Sequence, residues 1–242
     1  NPQGKGAVQS AQGLLGRVLR RKTVLQIFGN QMGQFHAACE KVRHTLPSSS
    51  KTLMVDIDDL LVHLDTDEGR FEHFMYRDLI REHAEKFKHN FQSLNADSLV
   101  RIPVFVDWNI GNFSVTKGLR LYSRWDYDWF RVSSRMLDFY FFARVVSDIG
   151  DRTMFTYNVD ILMHERFKLF LRSYHRVNPL TEREILFLKE AYRFFLLTYV
   201  VKYGRYFFHE LFANTLQKET FETHLPSLDD RFDPTSLLDV LS

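Results

Sequence analysis

Residues 104–113 read VFVDWNIGNF, and the rest of the chain is best understood from this stretch outward. An Asp-Trp-Asn cluster has poor strand propensity, and Gly111 is a turn former. The flanking IPVF and FSVT are short apolar runs of strand type. Asp107 and Asn112 are therefore expected on a tight loop whose ends are held in a small sheet. Polar side chains on a loop with a rigid base are a common way to build a site. An ordinary polar turn has the same composition.

Downstream, Lys117-Gly118 reads as a turn and LRLYSRW (119–125) alternates, completing a β-hairpin. Such a hairpin returns Asp126, and Asp128 after it, to the end that carries Asp107 and Asn112. Two carboxylates and an amide oxygen form a hard-oxygen set of the kind that suits Mg²⁺ with phosphate and water.

Everything around this insert reads as helix. Leu25, Phe28, Met32, Phe35, Cys39 and Val42 form one apolar stripe, ended by PSSS at 47–50. DIDDLLVHLD (56–65) reads as a short helix, and residues 69–91 as a second long one, broken by LNADS. After the hairpin, SRMLDFYFFARVVSD reads as a helix with Ser133 or Ser134 as N-cap. VDILMHERFKLFLRSYH follows as one helix. Thr181 with Glu184 makes a capping box for EREILFLKEAYRFFLLTYVVKYG, and a further helix reaches about Leu216. Residues 1–8 read as loose, and PSLDDRFDPTS as a polar, turn-like tail. The fold class expected is mainly α with a small β-hairpin insert.

Composition excludes several function classes. The 242 residues are enough for one large or two small domains, and 45% hydrophobic with 26% charged is the balance of a globular chain. Lys and Arg total 32 against 30 acids, a net charge of +2, which does not point to a nucleic-acid partner. No acid precedes Glu40, while Lys5, Arg17, Arg20, Arg21 and Lys22 do; this is a solvated helix face or a contact for an anionic partner. Cys39 is the only cysteine, so no disulfide forms within the chain; this fits a reducing compartment, and a cytoplasmic location is expected. FFLLTYVV is too short to span a bilayer, so no membrane span is expected. The chain opens on Asn1 rather than Met, as a fragment or processed form would.

Other residues carry weaker signals. His36 sits beside the apolar stripe and reads as structural. His63, His73, His83 and His89 have no i, i+4 pair, so their spacing points to no zinc site. Asp56, Asp58, Asp59, Asp65, Asp67 and Glu68 read as a solvated loop or as an attractor for a cationic substrate. Trp108 and Trp129 flank the loop as a stacking wall or as core. Ser133 and Ser134 lack the partners of a hydrolase triad.

FVDWNIGN followed by WDYDWFRVSSRMLDFYFFA resembles the aminoglycoside phosphotransferase and choline kinase-like family, whose signature is His-Gly-Asp-x4-Asn, an apolar strand ending in Asp, and a further Asp twelve residues on. Asp126 and Asp138 keep that interval. FGNQMGQFHAA is similar to the family's helix before the catalytic loop, and YHRVNPLTEREILFLKEAYRFFLLTYVV to its C-terminal helices, so the resemblance covers about residues 25–205. Phe105 and Val106 depart from it, standing where the family has His and Gly.

The resemblance implies the C-lobe of a protein-kinase-like α+β fold, with a lead-in at 1–24, the lobe at 25–217 (catalytic loop 104–113, metal-binding segment 119–130) and a tail at 218–242. It implies transfer of the γ-phosphoryl group of ATP, with Mg²⁺, to a hydroxyl of a small molecule, cationic acceptors included. Asp107 would be the catalytic base, and Asn112, Asp126 and Asp128 the metal ligands. The family's nucleotide-binding N-lobe is not seen in this chain, and GKGAVQSAQG lacks the spacing of a phosphate loop; that lobe is expected to lie outside the given sequence, to be cleaved off, to sit on a separate chain or to be lost, and nucleotide binding by this chain alone is expected to be weak. A catalytically impaired, pseudokinase-like or partner-binding module is the alternative.

Overall fold

A computed structural model describes residues 9–10, 22–46, 51–147 and 157–242. The apolar stripe forms α1 (Lys22–Val42), which buries Leu25, Phe28, Met32, His36 and Cys39 but leaves Val42 exposed. α2 (Leu53–Asp65) is capped by Thr52, whose hydroxyl accepts from the Val55 N–H at 3.2 Å. The helix expected over 69–91 is two helices, α3 (Asp67–Glu72) and α4 (Arg77–Ser93), with a turn between them that leaves Phe74 and Met75 at 83% and 80% exposure. Apolar residues at those two positions mimic a helical stripe in the sequence, but they are not core.

Two small antiparallel sheets stand where one was expected. β1 (Gln9–Ser10), β3 (Phe113–Val115) and β4 (Leu121–Arg124) form the first, in the order β1-β3-β4. β2 (Arg101–Val104) does not join that hairpin; it pairs with β5 (Arg131–Ser134), in register Arg101↔Ser134 to Val104↔Arg131. Ser133 and Ser134 are thus strand residues, although the Ser134 hydroxyl still accepts from the Met136 N–H (3.3 Å) at the start of α5 (Met136–Val146). The β2–β5 pair closes the stretch 105–130 at its base, so the loop and the hairpin emerge from one anchored point.

α5 is buried on every side, as its all-round apolar sequence requires. The helix expected over 159–175 opens as a 3₁₀ segment (Val159–Met163), and α6 (Glu165–His175) begins after His164, whose Nδ1 caps it. α1 and α6 lie in close contact because Gly29 has no side chain: a Cβ there would meet the Phe170 carbonyl oxygen at 2.3 Å. α7 (Glu182–Phe195) starts at the expected Thr181–Glu184 capping box. Its continuation, Leu196–Lys202, is π-helical, and Gln217 Nε2 donates to the carbonyls of Val200 (3.0 Å) and Val201 (3.2 Å).

Two helices follow, α8 (Gly204–Phe207) and α9 (Glu210–Glu219). The segment expected to be a polar tail is helical and docked. A π segment (Thr220–His224), α10 (Leu225–Arg231) and α11 (Thr235–Leu238) bury Phe221, Leu225, Leu228, Phe232, Leu237 and Val240. Asp229 is drawn to Arg193, which is fully buried on α7, at 2.5 Å. The sequence expectations for residues 1–8, for Arg17, Arg20 and Arg21 and for PSSS lie outside the described residues.

Candidate functional site

The loop leaving β2 is held from below by Asp138 on α5. Its Oδ1 accepts from the backbone N–H of Phe105 (2.9 Å) and Val106 (2.6 Å), and its Oδ2 lies 3.0 Å from His36 Nε2. A carboxylate only accepts, so His36 Nε2 carries the proton and Nδ1 accepts from the Tyr174 hydroxyl at 2.7 Å. All three side chains are buried, and they join α1, α5 and α6 beneath the loop. His36 is structural, as its sequence position suggested.

Val106 has φ 61°, the left-handed region that a β-branched residue avoids. The paired hydrogen bonds that the Phe105 and Val106 N–H groups donate to Asp138, together with burial of the Val106 side chain, hold the strained conformer. The chain then turns tightly, with Asp107 N donating to the Phe105 carbonyl (2.7 Å) and Asn112 N to the Asn109 carbonyl (2.8 Å).

Asp107 and Asn112 meet. Asn112 Nδ2 donates to Asp107 Oδ2 at 3.0 Å, and the Asn109 N–H donates to Asp107 Oδ1 at 3.2 Å. Burial pushes the Asp107 carboxyl up to about 6; the Asn109 amide pulls it down, and the nearby charge of Asp126 adds to the rise. With Nδ2 turned to Asp107, Oδ1 is the Asn112 atom left to face a cation.

The β3–β4 hairpin brings Asp126 to the same end, as the alternation predicted. Phe113 pairs with Arg124, and the Trp125 N–H donates to the Asn112 carbonyl at 3.0 Å. Asp126 is exposed with φ 67°, and its Oδ1 accepts from the Asp128 N–H at 3.4 Å. Asp107 and Asn112 thus meet directly, the Asp126 charge is near enough to raise the Asp107 carboxyl, and Asp128 is exposed.

Arg124 is the residue that sequence reasoning missed. Its Nη2 donates to the Asp107 carbonyl at 2.9 Å, and its Nη1 to the Asp126 carbonyl. The guanidinium lies 4.4 Å from the Phe105 ring centroid, 5.1 Å from Trp108 and 5.4 Å from Tyr127. It therefore staples the loop to the segment after the hairpin inside an aromatic cage. Phe105 forms one wall of that cage. The only sequence signal was an arginine set among aromatic residues.

The remaining candidates fall into place as packing. Trp108 and Trp129 are core. The acidic run 56–68 lies mostly on α2 and faces cations of this chain: Asp56 meets Arg131 at 2.6 Å, Asp58 meets Lys88 at 2.8 Å, Asp59 meets Lys51 at 2.6 Å and Glu68 meets Arg205 at 3.0 Å. Beside Asp128, a cleft of about 240 Å³ is lined by Trp129, Tyr199, Tyr203 and Phe207. Among the described residues, no helix is long and apolar enough to cross a membrane. No family model matches this chain, and no curated protein or solved structure matches it significantly.

Proposed function

We propose that this chain carries the acceptor-side half of a phosphotransfer site of the protein-kinase-like C-lobe type, moving the γ-phosphoryl group of ATP to a hydroxyl of a small molecule. The observation that supports this most directly is the Asp107–Asn112 pair at 3.0 Å, with the Asp126 charge beside it. Asp107 orients the acceptor hydroxyl and takes its proton. A carboxyl raised to about 6 is a better proton acceptor at neutral pH than an ordinary aspartate, yet remains mostly ionised there. Asn112 Oδ1 and the Asp126 carboxylate are hard oxygens that fit Mg²⁺, with Asp128 available to a second ion. When bound, Mg²⁺ would neutralise phosphate charge. Arg124 holds the carbonyls of Asp107 and Asp126, so the two carboxylates keep their spacing.

Exposed Tyr122, Trp125, Tyr127 and Phe130 around the rim favour a second reading, a catalytically impaired module that uses this face to bind a partner. One assay separates the two. With a nucleotide-binding lobe supplied in cis or as a separate chain, transfer of labelled phosphate from Mg-ATP to a panel of amino sugars and amino alcohols is measured for the wild type and for Asp107→Asn. The variant is expected to lose about 10²–10⁴-fold in turnover while keeping its circular-dichroism spectrum. Equal rates would remove Asp107 from the mechanism. Absence of transfer by the wild type with every acceptor would favour the binding module.

A further inference from the structure

His63 and His73 are ten residues apart in the sequence and adjacent in the fold. Thr66 makes the reversal that joins them. Its N–H donates to the His63 carbonyl at 3.0 Å, and its hydroxyl accepts from the Gly69 N–H at 3.1 Å, which turns α3 back against the end of α2. Gly69 is required there, since a Cβ would meet the His63 carbonyl oxygen at 2.0 Å. The reversal sets Glu72 Oε2 3.3 Å from His63 Nε2 and 3.8 Å from His73 Nε2. One ligand atom from each of the three residues lies within 4.8 Å of the others.

We propose that His63, Glu72 and His73 form a binding site for one zinc-type divalent transition ion, separate from the Asp107 rim. Zinc–nitrogen bonds near 2.1 Å put the ligand atoms of a tetrahedral site about 3.4 Å apart. The edges of 3.3 and 3.8 Å are close to that spacing. His73 gives the independent sign: its side chain is buried, and Nε2, one of the three facing atoms, makes no hydrogen bond. An orphaned buried nitrogen is costly unless something fills it. Arg205 Nη1 sits 3.3 Å from Glu72 Oε1, which orients the carboxylate and leaves Oε2 to the ion, as an outer-shell partner does. His63 and Glu72 are part-exposed, so the fourth position is open to water. The ion would clip the end of α2 to the α3–α4 turn.

The test is titration of the metal-free 242-residue chain with Zn²⁺ by calorimetry, with Co²⁺ as an absorbance probe. One equivalent is expected to bind, to raise the melting temperature and to give the visible band of tetrahedral cobalt. His63→Ala and Glu72→Gln alter part-exposed side chains and should leave the fold intact; each should weaken Zn²⁺ at least about tenfold. Asp107→Asn should leave Zn²⁺ affinity unchanged, which keeps the two sites distinguishable. No saturable binding, or equal affinity in the wild type and both ligand variants, would overturn the proposal.

Discussion

At the scale of single residues, Asp138 governs the candidate site without lying on its rim. It is fully buried, and its oxygens meet two backbone N–H groups and His36. Removing them would strand three buried donors and release the strained φ of Val106. Each orphaned group costs about 1–3 kcal/mol, so Asp138→Ala should destabilise the protein by at least about 3 kcal/mol. Asp138→Asn should lose less, because its amide oxygen still accepts from the loop. Urea unfolding of both variants checks the order; equal losses would show that the loop does not depend on the carboxylate. Sequence spacing located Asp138, twelve residues after Asp126, but not this role. Its partners lie 32, 33 and 102 residues away, beyond any local pattern.

At the scale of elements, the contact between α1 and α6 tests how far propensity can be overridden. Gly in a helix interior is worse than Ala by about 1 kcal/mol, so an isolated α1 would gain from Gly29→Ala. In the protein, the added Cβ would lie 2.3 Å from the Phe170 backbone oxygen, which no side-chain rotation relieves. Gly29→Ala is therefore expected to destabilise by about 2 kcal/mol or more. The melting temperature decides it: a rise would mean that the helices separate easily. Capping chemistry was legible at this scale, since Thr181–Glu184 is local. Strand partnership was not. β2 has an apolar pattern that fits either neighbour, and it is β5, 27 residues on from Val104 to Arg131, that closes the ladder.

At the scale of the whole molecule, stability should fall on acidification, by opposing contributions. Burial first, then Arg193, hold His83 down to about 4, and burial first, then Arg231, hold His224 down to about 4. The unfolded chain protonates these histidines near 6.5, so it binds more protons than the native state between about 6.5 and 4. Their stabilisation is present at neutral pH and lost as pH falls through that window, roughly 3 kcal/mol each at full titration. Asp107 acts in the other direction. Its carboxyl is raised from the ordinary 3.8 to about 6, so ionising it costs native stability, and that cost disappears on acidification. The net expectation is a loss of roughly 3 kcal/mol between pH 7 and 4. Asp107→Asn should be more stable than the wild type at pH 7 and show a steeper acid loss. Chemical denaturation at a series of pH values measures both slopes; parallel curves would mean that Asp107 titrates as an ordinary aspartate.

The sequence by itself determined the elements whose causes are local: the apolar stripe of α1, the capping box of α7, the hairpin turn, and the approach of Asp126 to Asn112 across it. Hydrophobic period, cap chemistry and hairpin geometry act over a few residues, so they can be read in order along the chain. Tertiary structure alone decided what depends on encounters between distant segments. It broke residues 69–91 at a turn, docked residues 220–241 as helices through Asp229 and Arg193, and set Arg124 in its aromatic cage. It also brought His63 to His73 through the reversal at Thr66. The physical reason is common to all four. Burial and charge pairing are set by which surfaces meet, and a pattern of residue types specifies the faces without specifying their partners.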